Sequence, residues 1–179
     1  MPVFLTVSRL IDSISQFVGK LSEYMVLFCC LISAGNAIVR YSLNYSSNGW
    51  LEIQWYLFAF VVLLGASHAL RMNEHVRVDL IYGSVSERVR IWIDVIGLVV
   101  FLLPACIFLT WLSWPFFVTS FQQHEISGNA GGLIRWPVKL ILVLGFGLLS
   151  LQGVSELIKR VAALTGHGEL NTDYEKPLQ

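Results

Sequence analysis

The 179-residue sequence predicts an all-α membrane protein: four transmembrane helices with interfacial amphipathic helix segments, both termini cytoplasmic. Three observations lead there. Hydrophobic residues make up 55% of the chain, more than an ordinary soluble domain of this size carries. They gather into four runs, each near the length of about 20 residues that a bilayer core of about 30 Å demands. Basic residues are also unevenly shared between the segments joining those runs, which sets an orientation.

From residue 5 to residue 20 the apolar positions Val7, Leu10, Ile11, Ile14, Phe17 and Val18 share one helical face. Arg9, Asp12, Ser13, Gln16 and Lys20 lie mostly opposite, so the pattern predicts an amphipathic helix at the membrane interface. The first span follows at about 21–39. A cleavable signal peptide is the competing reading, with Tyr24 to Ile32 as its apolar core and Ser33, Ala34 and Gly35 after it. The long leading segment, its acids Asp12 and Glu23, and the run onward to Val39 favour a retained span.

Asn, Ser and Tyr between Arg40 and Leu51 make a short loop, and the second span occupies about 53–70. It breaks into Arg71, Asn73, Glu74, His75, Arg77 and Asp79. Gly83 marks a turn, and Ser84 with Glu87 fits a capping box opening the next helix. The third span, about 91–114, is predicted to stop at Pro115 and to kink at Pro104. Phe116 to Gly132 reads as a longer loop ending in Ser-Gly-Asn-Ala-Gly-Gly. Trp136 and Pro137 introduce the fourth span, about 137–158, closed by Lys159 and Arg160. Residues 1–165 form a single four-helix membrane domain, and 166–179 a polar cytoplasmic tail.

With the N-terminus inside, the inner segments hold nine basic residues: Arg9, Lys20, Arg71, Arg77, Arg88, Arg90, Lys159, Arg160 and Lys176. The outer segments hold three, Arg40, Arg135 and Lys139. That asymmetry is the signature of cytoplasmic termini. Trp50, Trp55, Trp111, Trp114 and Trp136 then fall near the outer interface, and Trp92 near the inner one.

Twelve acidic and twelve basic side chains leave no bulk field for nucleic acid. Cys29, Cys30 and Cys106 sit inside apolar runs and read as small buried hydrophobes. An ionisable group at a span centre is costly and points to function. Glu23, Glu52, Asp94, Lys139 and Glu156 instead lie within a few residues of span ends, which argues against a solute path through this chain alone. Glu52 has Arg40 or Lys139 as candidate partners; Asp79 and Asp94 have Arg71, Arg77, Arg88 or Arg90. His68 and His75, seven apart, are the basis of an alternative reading as a haem-bearing cytochrome b-type anchor. The other histidines, His124 and His167, are at the wrong depth to complete such a site. No catalytic grouping, cofactor motif or metal spacing is present, and the chain does not read as an enzyme. Ser33 with Ala37, and Gly65 with Ala69, are small-residue pairs suited to close helix packing.

Trp50-x-Glu52 before a span, Gly65-Ala66 near its end, then Leu70-Arg71 and His75-Val76-x-Val78-Asp79 form an ordered set. Together with Glu125-x-Ser127 and Trp136-Pro137, this set resembles the small membrane subunit of tripartite ATP-independent periplasmic (TRAP) transporters, the DctQ-type family. The resemblance covers roughly residues 15–160. It implies an accessory scaffold in a bacterial inner membrane, packed on a large elevator-type permease that imports an organic acid with sodium. It also implies a periplasmic substrate-binding protein as a further partner, with membrane lipids around the bundle. The residues expected at partner interfaces or in rim ion pairs are Trp50, Glu52, Arg71, His75, Asp79, Asp94, Glu125 and Lys139.

Overall fold

A computed structural model of the chain describes residues 2–45, 47–73 and 85–166. Four helices in it are long and apolar enough to cross a membrane. They are α1 (Pro2–Leu43), α2 (Asn48–Met72), α3 (Glu87–Gln122) and α4 (Trp136–Leu164). Among the described residues the only strand-like feature is an isolated bridge between Ile126 and Ile134. Residues 74–84 and 167–179 lie outside the described residues, and with them His75, Asp79, Gly83, Ser84 and most of the predicted tail.

The predicted amphipathic helix and first span are one helix. At 42 residues, α1 runs roughly 63 Å, about twice a bilayer core. In its N-terminal half the predicted polar residues Arg9, Ser13, Gln16 and Lys20 are exposed, and the face turned to the bundle is a stripe of mostly small residues between the two predicted faces. Ser8, Ile11, Ser15, Gly19 and Ser22 are buried, while Val3, Phe4, Leu10, Ile14 and Phe17 are exposed. The choice of that face has a simple cause. Against hydrocarbon, large apolar side chains lose nothing by facing outward, and small polar ones gain close packing and hydrogen bonds inside.

The third helix also differs from expectation. It does not stop at Pro115 but continues to Gln122, so Phe116 to Gln122 is helix and not loop. A proline removes one ladder hydrogen bond, a loss that packed membrane helices tolerate. Phe116, Phe117, Val118 and Phe121 supply an apolar continuation; Phe117 stacks on Trp114 and Phe121 at ring distances of 5.9 Å. At Pro104 the adjustment is a π-helical turn, Gly97–Leu102, in which Leu103 N–H reaches back to Leu98. The wider turn makes room where the proline ring would press on the carbonyl of Val100. The helix opens with Ser86 at the N-cap, in extended backbone and without a side-chain capping bond, and the Ser84 half of the expected capping box lies outside the described residues.

Glycine sets the helix spacing. A Cβ at Gly145 would lie 2.7 Å from Leu63 Cβ and 3.0 Å from its backbone, so α2 and α4 meet across a bare backbone. Gly153 admits Leu102 and Leu103 of α3 in the same way, and Gly19 seats the ring of His68. Gly147 has only Thr110 Cγ2, at 4.0 Å. Gly145→Ala is therefore expected to destabilise the bundle by about 1–3 kcal/mol, and Gly147→Ala to be near neutral. Thermal unfolding of the detergent-solubilised protein checks the pair. Equal effects would mean that the close approach at Gly145 does not hold the helices in register. Of the cysteines, Cys106 is buried as expected, but Cys29 is half-buried and Cys30 exposed.

Candidate functional site

The polar side chains gather at the two ends of the bundle. At the end carrying the α3–α4 loop, Glu52 stands one turn into α2 with only 3% of its surface exposed. Its carboxylate points into the loop. One oxygen accepts from Ser127 Oγ and from Asn129 Nδ2 at 2.7 Å; the other accepts from the Leu133 amide at 2.7 Å. The loop is shaped to receive it. Ser127 N–H bonds Leu133 O and Arg135 N–H bonds Glu125 O, both at 2.9 Å, forming a small hairpin around the Ile126–Ile134 bridge. Gly131 takes φ +71, and a Cβ on Gly132 would sit 2.9 Å from Asn129 O, so the glycine run is a steric requirement. Tyr56 Oη ties the same loop down by donating to Ile134 O at 3.1 Å.

Beside this, Lys139 pairs with Glu125 and lies 3.8 Å from the centre of the Phe116 ring. The Lys139 ammonium, hydrogen-bonded to Glu125, holds its carboxyl below the usual carboxylate range. Arg135 approaches Glu125 at 3.7 Å. The expected pairing of Glu52 with Arg40 or Lys139 is thus replaced by two separate arrangements. Neutral loop donors satisfy Glu52, and Lys139 takes Glu125. Trp50 sits in the first turn of α2, partly exposed.

At the opposite end, where α1 begins and α4 finishes, a larger network closes. Gln152, fully buried, accepts from Ser15 Oγ at 2.7 Å and donates to Asp12 at 2.9 Å and Glu156 at 3.1 Å. Ser155 donates to Asp12 at 2.8 Å and touches Ser8 Oγ at 2.7 Å. Lys159 bridges Asp12, at 3.1 Å, and Glu156. Arg160 joins Glu156 to Asp94 of α3, its Nε 3.0 Å from Asp94. Asp94 therefore reaches across to α4, where the sequence suggested arginines on its own segment or the preceding one. Arg71 occupies the last turn of α2, where a cation complements the helix dipole.

Of the residues singled out from sequence, Glu52, Glu125 and Lys139 come together around one loop. Asp94 joins the distant network, Arg71 and Trp50 stand apart at either end of α2, and His75 and Asp79 fall outside the described residues. Sequence reading missed Ser127, Asn129, Gln152, Ser155 and Asp12 as members of these clusters. The available signal was the spacing of Ser8, Ser15 and Ser22 on one helix, against Gln152, Ser155, Glu156 and Lys159 on another. Among the described residues, no group of three or more His, Cys, Asp and Glu could hold a metal ion.

A family model described as the DctQ component of tripartite ATP-independent periplasmic transporters matches residues 8–163. The C4-dicarboxylate TRAP transporter small permease protein DctQ of Vibrio cholerae serotype O1 is 26% identical over 118 residues. That alignment takes in 63% of this chain and 51% of the relative, so the chain spans about half the length of the curated protein it matches. No solved structure matches the chain.

Proposed function

The chain belongs to the DctQ component family of tripartite ATP-independent periplasmic transporters, as a small permease subunit of the inner membrane, and on that premise we propose that it is a fixed scaffold for a large permease. The large subunit moves an organic acid together with sodium, and a periplasmic binding protein delivers the acid. Both termini of this chain face the cytoplasm, in keeping with nine basic residues against three. The α3–α4 loop then faces the periplasm, where it adds to the surface met by the delivery protein.

One observation carries the scaffold reading. The described charged groups that form networks lie at the two ends of the bundle, and each is occupied by a partner within the chain. Between those ends the buried positions among the described residues include Ser22, Leu64, Ser67, Leu98, Cys106, Ser113, Val143 and Gly145, none of them a carboxylate or a basic side chain. The haem-anchor alternative is not favoured: the family is that of a transporter subunit, and the His68 ring is packed against Gly19 of α1. Co-expression with the neighbouring large permease tests the proposal. The two chains are expected to co-purify in mild detergent, with transport requiring both. A bundle that is stable alone and never retains the large subunit would overturn it.

A further inference from the structure

The outer flank of the bundle carries a groove of about 300 Å³, between α2 and α4 beside Phe116 of α3. Trp55, Phe116, Val138 and Leu142 form its walls, and Arg135 and Lys139 stand at its mouth. Arg135 precedes the first turn of α4 and Leu142 lies seven residues further on, so the groove runs roughly 10 Å along the helix, into the membrane. Trp55 places the mouth at the depth where aromatic side chains mark the headgroup layer.

We propose that this groove binds one phospholipid, its phosphate on Arg135 and part of an acyl chain lying along Val138 and Leu142. The charges at the mouth separate the two cations. Lys139 is engaged by Glu125 and lies over Phe116. Glu52, although it borders the groove, spends both oxygens on loop donors. The Arg135 guanidinium has its nearest carboxylate at 3.7 Å, beyond hydrogen-bond length, and its side chain is 47% exposed. A planar fork of donors facing the headgroup layer suits a phosphate, which accepts two parallel hydrogen bonds from arginine. Below the mouth Trp55, Val138 and Leu142 are apolar, and the Tyr56 and Ser127 hydroxyls that also line the groove are bonded to Ile134 O and Glu52. That suits a hydrocarbon chain along a length that a small organic acid would leave unfilled.

The test titrates dioleoyl phosphatidylglycerol into the purified chain and counts bound copies by native mass spectrometry. One tightly bound copy is expected; Arg135→Gln weakens it roughly tenfold, and Val138→Trp, which fills the groove, removes it. Quenching of Trp55 fluorescence by brominated-chain phosphatidylglycerol, with Trp55→Phe as the blank, gives a second reading should the filled variant fold poorly. Glycerol phosphate, a headgroup without chains, is expected not to compete; equal competition would mean a free-phosphate site and overturn the lipid assignment. Unchanged affinity in both variants would also overturn it. So would a Val138→Trp chain that keeps its lipid but no longer co-purifies with the large permease, since the groove would then hold a partner side chain.

Discussion

Replacing Glu52 by alanine releases the loop between α3 and α4 while leaving the four helices assembled. Three donors, from Ser127, Asn129 and the Leu133 amide, converge on this one carboxylate, and the helix beneath supplies no second acceptor. Loss of the acceptor leaves the buried Ser127 hydroxyl and the half-buried Leu133 amide without their partner, while exposed Asn129 turns to water, so the loop loosens. The Leu133 amide is the most direct reporter. Its hydrogen exchange is expected to rise by about tenfold or more, as a locally opening segment requires. Glu52→Gln makes a sharper comparison, because it preserves shape but turns an NH2 toward donors. It should fall between wild type and alanine. Retained protection of Leu133 in the alanine variant would mean that the hairpin bonds from Ser127 and Arg135, with Tyr56 on Ile134, hold the loop unaided. If the loop meets the delivery protein, transport by the co-expressed complex falls in step with exchange, while recovery of the complex stays normal.

How far this was legible follows from the residues involved. The four apolar runs are visible in the sequence because a bilayer requires length and composition that few other contexts impose. Glu52 and Lys139 stand out for the same reason, as charges close to span ends. Which partner each takes does not, although Glu125 was among the residues singled out, because pairing across a loop depends on where Gly131 and Gly132 turn the chain. A helical period cannot report that. The amphipathic segment of α1 shows a different kind of failure. The predicted polar residues Arg9, Ser13, Gln16 and Lys20 are exposed. What meets the bundle is a stripe of mostly small residues between the two predicted faces, since close helix packing in a membrane selects for size. Serines spaced by seven on α1 and a polar stripe on α4 were both readable, but only contact between the helices shows that they are two halves of one seam. Pro115 misled because packed membrane helices tolerate the ladder bond it removes, and the aromatic run from Phe116 to Phe121 continues the apolar character that keeps the helix going.

At the other end of the molecule, Arg160→Ala is expected to cost about 3–5 kcal/mol, a large part of the stability of an ordinary domain. Arg160 and Lys159 are the cations of a cluster with Asp12, Asp94 and Glu156. Removing the guanidinium leaves Glu156, whose side chain is 6% exposed, with Lys159 alone as its cation and takes Asp94 from its contact with α4. Lys159 must then serve Asp12 and Glu156 without support. Arg160→Lys keeps the charge but lacks the fork that reaches Asp94 and Glu156 together, so it should recover only part of the loss. A triple change, Arg160→Met with Glu156→Leu and Asp94→Asn, removes the charges along with their desolvation cost. It should be far milder than Arg160→Ala, because a buried ion pair and its apolar replacement differ little in net stability. Thermal unfolding of the detergent-purified chain separates these cases. An Arg160→Ala variant within about 1 kcal/mol of wild type would mean that headgroups or water already screen the cluster, as they do exposed pairs. In that event the union of α1, α3 and α4 would rest on the serine seam and the glycine contacts, and the charges would serve the surface instead of the fold.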